Sequence, residues 1–140
     1  MQLRNVMTQP PRYVSPSTLI GEAAEMMRSR DIGMLLVADN DKLVGTVTDR
    51  DIVIRGIAEG MDPRIARTQD VMTPDTLYCF DDQDTSDAAQ LMEERQIRRL
   101  AILDRNKRLV GVVSLGDLAV RSDDEALSGE VMKQIAQPRT

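Results

Sequence analysis

The sequence has no histidine, no tryptophan, one cysteine and few aromatic residues, and each of these shortages excludes a class of function. Without histidine, the common zinc sites and the Ser-His and Cys-His nucleophile pairs cannot be assembled, so we expect neither a metal centre nor a catalytic residue. Aromatic residues make up 2% of the chain, which leaves almost nothing for stacking single-stranded bases. Because Cys79 has no disulfide partner, we expect a reducing, cytoplasmic location. It lies between Tyr78 and Phe80 in an apolar strand, so we expect a buried, inert thiol.

The chain also lacks a net positive charge and a long apolar run. It has 18 Lys and Arg against 23 Asp and Glu, a formal charge of −5, so we expect no nucleic acid polymer as a partner. A small anion held by a few arginines is compatible with this balance. Arg4 and Asn5 interrupt the apolar residues near the N-terminus, so we expect neither a signal peptide nor a membrane association.

What the sequence does contain is an internal repeat. Val6-Met7-Thr8 recurs as Val71-Met72-Thr73, 65 positions later, and Val44-Gly45 recurs as Val110-Gly111, 66 positions later. The second copy therefore has one more residue than the first between the Val-Met-Thr motif and the Val-Gly motif. The extra residue lies in a polar turn between apolar runs, where an insertion does least damage. The repeat extends over most of the chain and determines the predicted architecture.

Each copy predicts the same order of elements, namely a short strand, a helix, two strands and a second helix. The second helices begin near Asp49 and near Leu115. The strand pairs are predicted at residues 34–38 with 43–48 and at residues 100–103 with 109–114. The first helices have apolar faces at Ile20, Ala23, Ala24 and Met27 and at Thr85, Ala88, Ala89 and Met92, with Ser17 or Thr18, and Asp84, as predicted N-caps.

A single copy of roughly 65 residues buries little surface by itself. We therefore expect an α+β fold in which the two copies pack sheet to sheet about a pseudo-two-fold axis. The predicted boundaries are 1–60 for the first repeat, 61–70 for a crossover linker, 71–122 for the second repeat and 123–140 for a C-terminal tail. Leu127, Val131 and Ile135 follow helical spacing and predict a short amphipathic helix in that tail.

The repeated Val-Met-Thr, the Ala-Ala-x-x-Met helix and the ending Leu-Val-Gly-x-Val-[Thr/Ser]-x-x-Asp resemble the CBS domain family, twice over almost the whole chain. Residues 48–56 with Met61-Asp62-Pro63 are similar to bacterial stand-alone two-CBS proteins of the hypoxic response protein type. The resemblance implies a regulatory, stress-response module without enzyme activity. It also implies a cleft in each half for an adenosine compound such as AMP, ADP, ATP or S-adenosylmethionine, with Mg²⁺ accompanying ATP.

In that family pattern the Thr or Ser and the Asp of each motif contact the ribose and phosphate. These residues are Thr48 with Asp51, and Ser114 with Asp117. The chemistry is suitable, because a carboxylate accepts bonds from two vicinal hydroxyls and free N–H groups at a helix start attract phosphate. The same pair also forms a helix cap, so a ligand role and a purely structural role both stay open.

Phosphate partners are expected among the arginines, since the guanidinium fork matches a phosphate. The candidates are Arg50, Arg55, Arg98, Arg99 and Arg121, with Arg50 and Arg99 in the predicted site. Val14, Val37 and Ile102 complete the predicted ligand contacts. The sequence departs from the family at Leu36 and Ala101, where many ligand-binding copies have Pro near the adenine, and wall shape sets the selectivity of such pockets.

No effector domain accompanies the repeats, so we expect the output to pass to an unknown protein effector in trans, with a homodimer as the assembly that the resemblance implies. The alternative is a structural or protein-interaction module without a ligand, in which the motifs act only as helix caps. An enzyme ranks below both, because no nucleophile lies next to a base in the sequence pattern.

Overall fold

The structure is a computed structural model and describes residues 1–122 and 125–136. By its internal contacts the chain divides into two compact units. We name Arg12–Thr76 the central unit, whereas the split unit combines Met1–Pro11 with Leu77–Thr140. Each unit contains one sheet and the helices connected to its strands, so the architecture is the predicted α+β class.

The central unit follows the predicted order of elements. They are β1 (Tyr13–Val14), α1 (Ile20–Arg30), β2 (Met34–Asp39), β3 (Lys42–Thr48), α2 (Asp49–Asp51) and β4 (Thr73–Pro74). The sheet order is β1-β2-β3-β4, with β1 parallel to β2 and the other neighbours antiparallel. From α2 the helical path continues as a π-helix, Ile52–Gly56, and a 3-10 helix, Ile57–Glu59.

The split unit repeats this order. Its elements are β5 (Tyr78–Phe80), α3 (Thr85–Arg95), β6 (Arg99–Leu103), β7 (Leu109–Ser114), α4 (Leu115–Arg121) and α5 (Glu125–Ala136). The sheet order is β5-β6-β7, with β5 parallel to β6 and β6 antiparallel to β7. The prediction of strand, helix, strand, strand and helix in each copy is therefore confirmed.

The compact units cut across the sequence repeats, because the N-terminal segment pairs with a strand of the second repeat. Thr8 forms an antiparallel bridge to Val112 in the split unit, as β4 pairs with β3 in the central unit. Residues 1–11 therefore group by contact with residues 77–140, although by sequence they open the first repeat. The boundaries 1–60 and 71–122 describe the sequence and stay a prediction.

The first helices of the two units are capped in different ways. Asp84 caps α3 as predicted, because its carboxylate accepts a backbone N–H at 3.0 Å and its own N–H donates to Asp87 at 3.1 Å. The prediction of Ser17 or Thr18 as the cap of α1 is wrong. The N-cap residue is Leu19, which has no side-chain cap.

Backbone carbonyls of residues 61–70 take the place of a side-chain cap on α1. The Ile20 N–H donates to the Ala66 oxygen and the Gly21 N–H donates to the Pro63 oxygen, both at 3.0 Å. These bonds satisfy N–H groups that the first turn of a helix leaves without partners. The segment predicted as a crossover linker is therefore an ordered part of the central unit that packs on the start of α1.

Each unit has its own aliphatic core, built from alternate strand residues and one face of its first helix. The central core contains Val14, Ile20, Ala23, Met27, Leu35, Val37, Val47, Ile52 and Val71. The core of the split unit contains Leu3, Val6, Met7, Cys79, Ala88, Met92, Leu100, Ile102, Val113, Leu115, Leu118 and Val131. Three of the four predicted positions on each helix face are buried, whereas Ala24 is exposed.

The predicted tail helix corresponds to α5. Val131 is buried and Leu127 packs against the core of the split unit. The side chain of Ile135, the third residue of the predicted apolar stripe, lies outside the described residues. None of the helices in the described part of the chain is both long enough and apolar enough to cross a bilayer.

Candidate functional site

Both copies of the [Thr/Ser]-x-x-Asp motif form a reciprocal cap where a strand enters a helix. In the central unit the Asp51 N–H donates to Thr48 Oγ1 and the Thr48 N–H donates to Asp51 Oδ2, both at 3.0 Å. In the split unit the Asp117 N–H donates to Ser114 Oγ at 3.0 Å and the Ser114 N–H donates to Asp117 Oδ2 at 2.9 Å. These bonds fix the orientation of both carboxylates.

A threonine from the Val-Met-Thr motif lies beside each carboxylate. The Thr73 hydroxyl donates to both oxygens of Asp51 at 3.4 Å. The Thr8 hydroxyl donates to Asp117 Oδ2 at 3.5 Å. These hydrogen bonds are long and both threonines are exposed, so each hydroxyl can turn towards another partner. Each candidate site thus consists of a motif hydroxyl, a carboxylate and a second hydroxyl from a distant segment.

Two glycines permit this close approach of the Val-Met-Thr segments. A Cβ on Gly45 would lie 2.5 Å from the Thr73 backbone oxygen. A Cβ on Gly111 would lie 2.5 Å from Met7 Sδ and 3.1 Å from the Thr8 oxygen. The Val-Gly pair found in both repeats therefore has a steric reason, since only glycine leaves room for the neighbouring backbone.

One arginine in each unit also holds the Val-Met-Thr segment. Arg55 Nη1 donates to the Met72 oxygen at 3.3 Å, and its Nε lies 3.9 Å from Asp51 Oδ1. Arg121 Nη1 donates to the Val6 oxygen at 3.3 Å. Both arginines are candidates for a phosphate, and one N–H of each already donates to a backbone carbonyl. The Asp51 side chain is 12% exposed, so part of it is accessible to solvent.

Strand register places four residues of each unit in one row across the sheet, on the face that carries the motif hydroxyl. Residues that are partners in a ladder share a face, and successive residues alternate between faces. The row is Tyr13, Leu36, Thr46 and Thr73 in the central unit, and Tyr78, Ala101, Val112 and Thr8 in the split unit. Each row begins at a tyrosine that is 37% exposed and ends at the threonine beside the carboxylate.

The three apolar residues predicted as ligand contacts lie on the opposite face of the sheets. Val14 and Val37 are partners in the ladder and belong to the central core, and Ile102 belongs to the core of the split unit. Their exposures are 4%, 0% and 0%. A one-residue step along a strand reverses the face, so the residues beside them belong to the rows instead. A ligand contact by these three side chains stays a prediction that the packing does not favour.

The two arginines predicted for the site occupy different elements. Arg99 is the ladder partner of Ser114, so its side chain starts on the same face as the motif hydroxyl. Arg50 lies within the first motif, on the turn that follows Thr48, and its side chain is exposed. Both are therefore near a motif, although they are not at equivalent positions of the repeat.

Thr8, Thr73, Tyr13 and Tyr78 were not among the site residues predicted from the sequence. A signal for them was present, because both pairs recur at the repeat offset of 65 positions. The offset alone could not connect them to the motif carboxylates, since that connection depends on the register between strands. Ladder pairing supplies it in both units.

Cys79 has the environment that was expected of it. The residue is 3% exposed in the core of the split unit. Loss of solvation on burial, with the nearby negative charge of Asp87 as the second cause, raises the pKa of the thiol to about 11. The neutral thiol is the stable form at neutral pH, and it behaves as a small apolar side chain.

The chain is similar to known proteins over most of its length. The family model of the CBS domain matches residues 3–56 and 69–123. The chain is 37% identical to the CBS domain-containing protein YhcV of Bacillus subtilis, over 96% of this chain and 94% of that protein. It is 36% identical to Hypoxic response protein 1 of Mycobacterium tuberculosis, with 96% of this chain and 94% of that protein covered.

Two solved structures have a similar fold. Hypoxic Response Protein I with two coordinated zinc ions gives a TM-score of 0.76 at 35% identity, covering 85% of this chain and 97% of that chain. CBSX2 in complex with AMP gives a TM-score of 0.70 at 26% identity, covering 97% of this chain and 98% of that chain. Within residues 1–122 and 125–136 of this chain, no group of three or more metal-ligating side chains lies together.

Proposed function

The chain belongs to the CBS domain family, and on that premise we propose that it is a regulatory module that binds an adenine nucleotide in one or both units. The observation that carries the proposal is the same polar constellation in both units. A capped carboxylate faces a threonine from a distant segment, at Asp51 with Thr73 and at Asp117 with Thr8. The similarity to CBSX2, whose structure contains AMP, supports adenine as the base.

The constellation suits the recognition of a ribose. A carboxylate accepts hydrogen bonds from two vicinal hydroxyls, and the exposed threonine hydroxyl can donate to or accept from a third oxygen. In the central unit, Thr48 keeps Asp51 oriented through the cap, so little side-chain entropy is lost when a ligand binds. Ser114 does the same for Asp117 in the split unit.

The tyrosine at the start of each row supplies a further contact in this proposal. Tyr13 and Tyr78, each 37% exposed, offer an aromatic ring to the adenine beside the buried Leu36 and Ala101. We assign the phosphates to the exposed arginines of the site, Arg50 in the central unit and Arg99 in the split unit. In this arrangement Val14, Val37 and Ile102 act from behind the rows, as the packed layer that keeps the strands in register.

The output is proposed to pass to another protein. Binding of a nucleotide changes the population of two arrangements only if it binds them with different affinity, and we propose that the module presents that difference to a partner. We propose a homodimer in the cytoplasm, with a protein effector in trans. A regulatory role in stress is proposed from the similarity to Hypoxic response protein 1.

A second candidate is a structural module without a ligand. The observation in its favour is that both motif carboxylates are already hydrogen-bonded as caps, which alone accounts for the residue types at Thr48, Asp51, Ser114 and Asp117. Substitution of Asp by Asn separates the two candidates. Asn retains an oxygen that accepts the N–H of Thr48 or Ser114, but it loses the charge and the second acceptor.

The test is calorimetric titration with AMP, ADP, ATP and S-adenosylmethionine, with and without Mg²⁺. We expect saturable binding to the unsubstituted protein, and a loss of about tenfold to a hundredfold in affinity when Asp51→Asn and Asp117→Asn are combined. Asp104→Asn is the control for each of the two substitutions, because it removes one carboxylate charge from the turn between β6 and β7. Absence of binding by the unsubstituted protein at millimolar ligand would establish the structural module instead.

A further inference from the structure

The two candidate sites differ in charge although their hydrogen bonds are alike. Two pairs of equivalent positions lie beside the motif in both units. The Asp49 N–H donates to the Gly33 oxygen at 3.0 Å, and at the same place in the split unit the Leu115 N–H donates to the Arg98 oxygen at 2.9 Å. Gly33 is therefore equivalent to Arg98, and Asp49 is equivalent to Leu115.

The ladder gives a further pair of equivalent positions. Met34 is the partner of Thr48 in the central unit, whereas Arg99 is the partner of Ser114 in the split unit. Ladder partners on one face have Cβ atoms about 5 Å apart, so residue 34 or residue 99 borders whatever contacts the motif hydroxyl. An uncharged thioether occupies this position in one site and a guanidinium in the other.

The carboxylate of Asp49 takes the space in which a side chain at position 33 would begin. A Cβ on Gly33 would lie 3.0 Å from Asp49 Oδ2. The other oxygen of Asp49 accepts the backbone N–H of Arg50 at 2.8 Å, so this carboxylate is fixed at the start of the motif helix. The formal charges of Asp49 and Arg50 sum to zero, and the positions equivalent to Arg98 and Arg99 are the uncharged Gly33 and Met34.

In the split unit the corresponding charge is positive and uncompensated. Leu115 and Gly116 replace Asp49 and Arg50, and both Arg98 and Arg99 are exposed. Among the described residues, neither guanidinium forms a hydrogen bond or ion pair. These four equivalent positions sum to zero charge in the central unit and to +2 in the split unit.

We infer that the split unit is the site for an adenine nucleotide with several phosphates, such as ATP, and that the central unit takes an adenosine compound of low charge. The inference rests on the proposed function and names the ligand class of each site. Arg99 determines the specificity, because a polyphosphate bound at Ser114 and Asp117 gains charge-assisted hydrogen bonds there. At Thr48 and Asp51 the same polyphosphate meets Asp49 and no free arginine other than Arg50.

The experiment examines one site at a time in the full-length protein. Asp51→Asn leaves the split unit as the only unaltered site, and Asp117→Asn leaves the central unit. Each protein is titrated with ATP and with adenosine, without Mg²⁺, at low and at physiological salt. We expect Asp51→Asn to bind ATP about tenfold more tightly than Asp117→Asn, with a difference that decreases as salt screens the arginines.

An exchange of the two equivalent residues tests Arg99 directly. Arg99→Met in the Asp51→Asn protein should lower ATP affinity about tenfold and adenosine affinity much less, because only ATP carries the phosphates. Met34→Arg in the Asp117→Asn protein should raise ATP affinity. The control is Arg108→Met, which removes the same charge just before β7, about 20 Å from Ser114 at the rise per residue of a strand, and should leave both affinities unchanged.

Two results would contradict the inference and are distinguishable. If both single-site proteins bind adenosine compounds but have the same ratio of ATP to adenosine affinity, the charge assignment is wrong and the proposed function stands. If the unsubstituted protein binds none of these compounds, the proposed function is wrong and the inference is wrong with it. Thermal melts of all variants confirm that each one is folded.

Discussion

The Thr8 hydroxyl donates to the Asp117 carboxylate at 3.5 Å, although the two residues are 109 positions apart in the chain. The corresponding bond in the central unit joins Thr73 to Asp51. Each candidate site therefore takes its motif from one sequence repeat and its threonine from the other. Neither repeat contains a complete site by itself, which explains why the motif and the threonine were not connected by sequence.

Removal of these threonine hydroxyls should weaken binding without unfolding the protein. Thr73→Val and Thr8→Val keep the shape of the side chain and remove one hydrogen bond to the carboxylate. We expect a loss of about twofold to tenfold in nucleotide affinity at the altered unit, measured by calorimetric titration. Thr46→Val is the control, because the equivalent residue of the split unit is already Val112. Equal effects of Thr46→Val and Thr73→Val would mean that the threonine hydroxyl is not part of the site.

The two motif glycines should differ in their tolerance of a methyl group. Gly45→Ala places the new carbon 2.5 Å from a backbone oxygen of Thr73, which cannot move without disturbing β4. In Gly111→Ala the nearest atom is the flexible end of Met7, so the neighbour yields more easily. We expect Gly45→Ala to lower the free energy of unfolding by about 1–3 kcal/mol, and Gly111→Ala by less.

The measurement for both glycines is the urea denaturation midpoint and slope. Gly129→Ala is the control, since Gly129 lies in α5 with nothing within 4 Å of the added carbon. That substitution should raise the free energy of unfolding by about 0.5–1 kcal/mol through helix propensity. A larger loss at Gly111 than at Gly45 would show that Met7 is not free to yield.

The pH dependence of stability should reveal the burial of Cys79. Burial raises the pKa of the thiol from its usual value of 9.0 to about 11, so the unfolded chain releases this proton first as pH rises. The contribution is fully present below pH 9 and is lost between pH 9 and pH 11. We expect the unsubstituted protein to lose stability more steeply over this interval than Cys79→Ala. Rapid reaction of the native thiol with a disulfide reagent at neutral pH would contradict its burial.

The two arginines that bond to carbonyls of the Val-Met-Thr segments, Arg55 and Arg121, should contribute more to the stability of the fold than to the binding of phosphate. Arg121→Met leaves the Val6 carbonyl without its donor at a partly buried position, and we expect a loss of about 1 kcal/mol in the free energy of unfolding. Thermal and urea denaturation measure this loss, and titration with ATP measures any change in affinity. A loss of ATP affinity at unchanged stability would instead indicate that Arg121 contacts the phosphates.

The sequence was sufficient for the repeat, for the order of elements and for the residues of the two caps. These features depend on local rules, namely hydrophobic periodicity, turn chemistry and the spacing of the capping box. The start of α1 was predicted wrongly for the same reason, because its N–H groups bond to Pro63 and Ala66, far beyond the local window. Asp84, whose cap is local, was predicted correctly.

The local sequence determined the motif residues Thr48, Asp51, Ser114 and Asp117 and their reciprocal hydrogen bonds, because a cap involves only neighbours in the chain. Tertiary structure decided which threonine faces each carboxylate and which face of a strand each residue occupies. Both depend on register, because a shift of β2 by one residue would put Val37 in place of Leu36 on the face that carries the motif hydroxyl. The charge difference between the two units was likewise present in the sequence, but only the ladder partners Met34 and Arg99 connect it to the motifs.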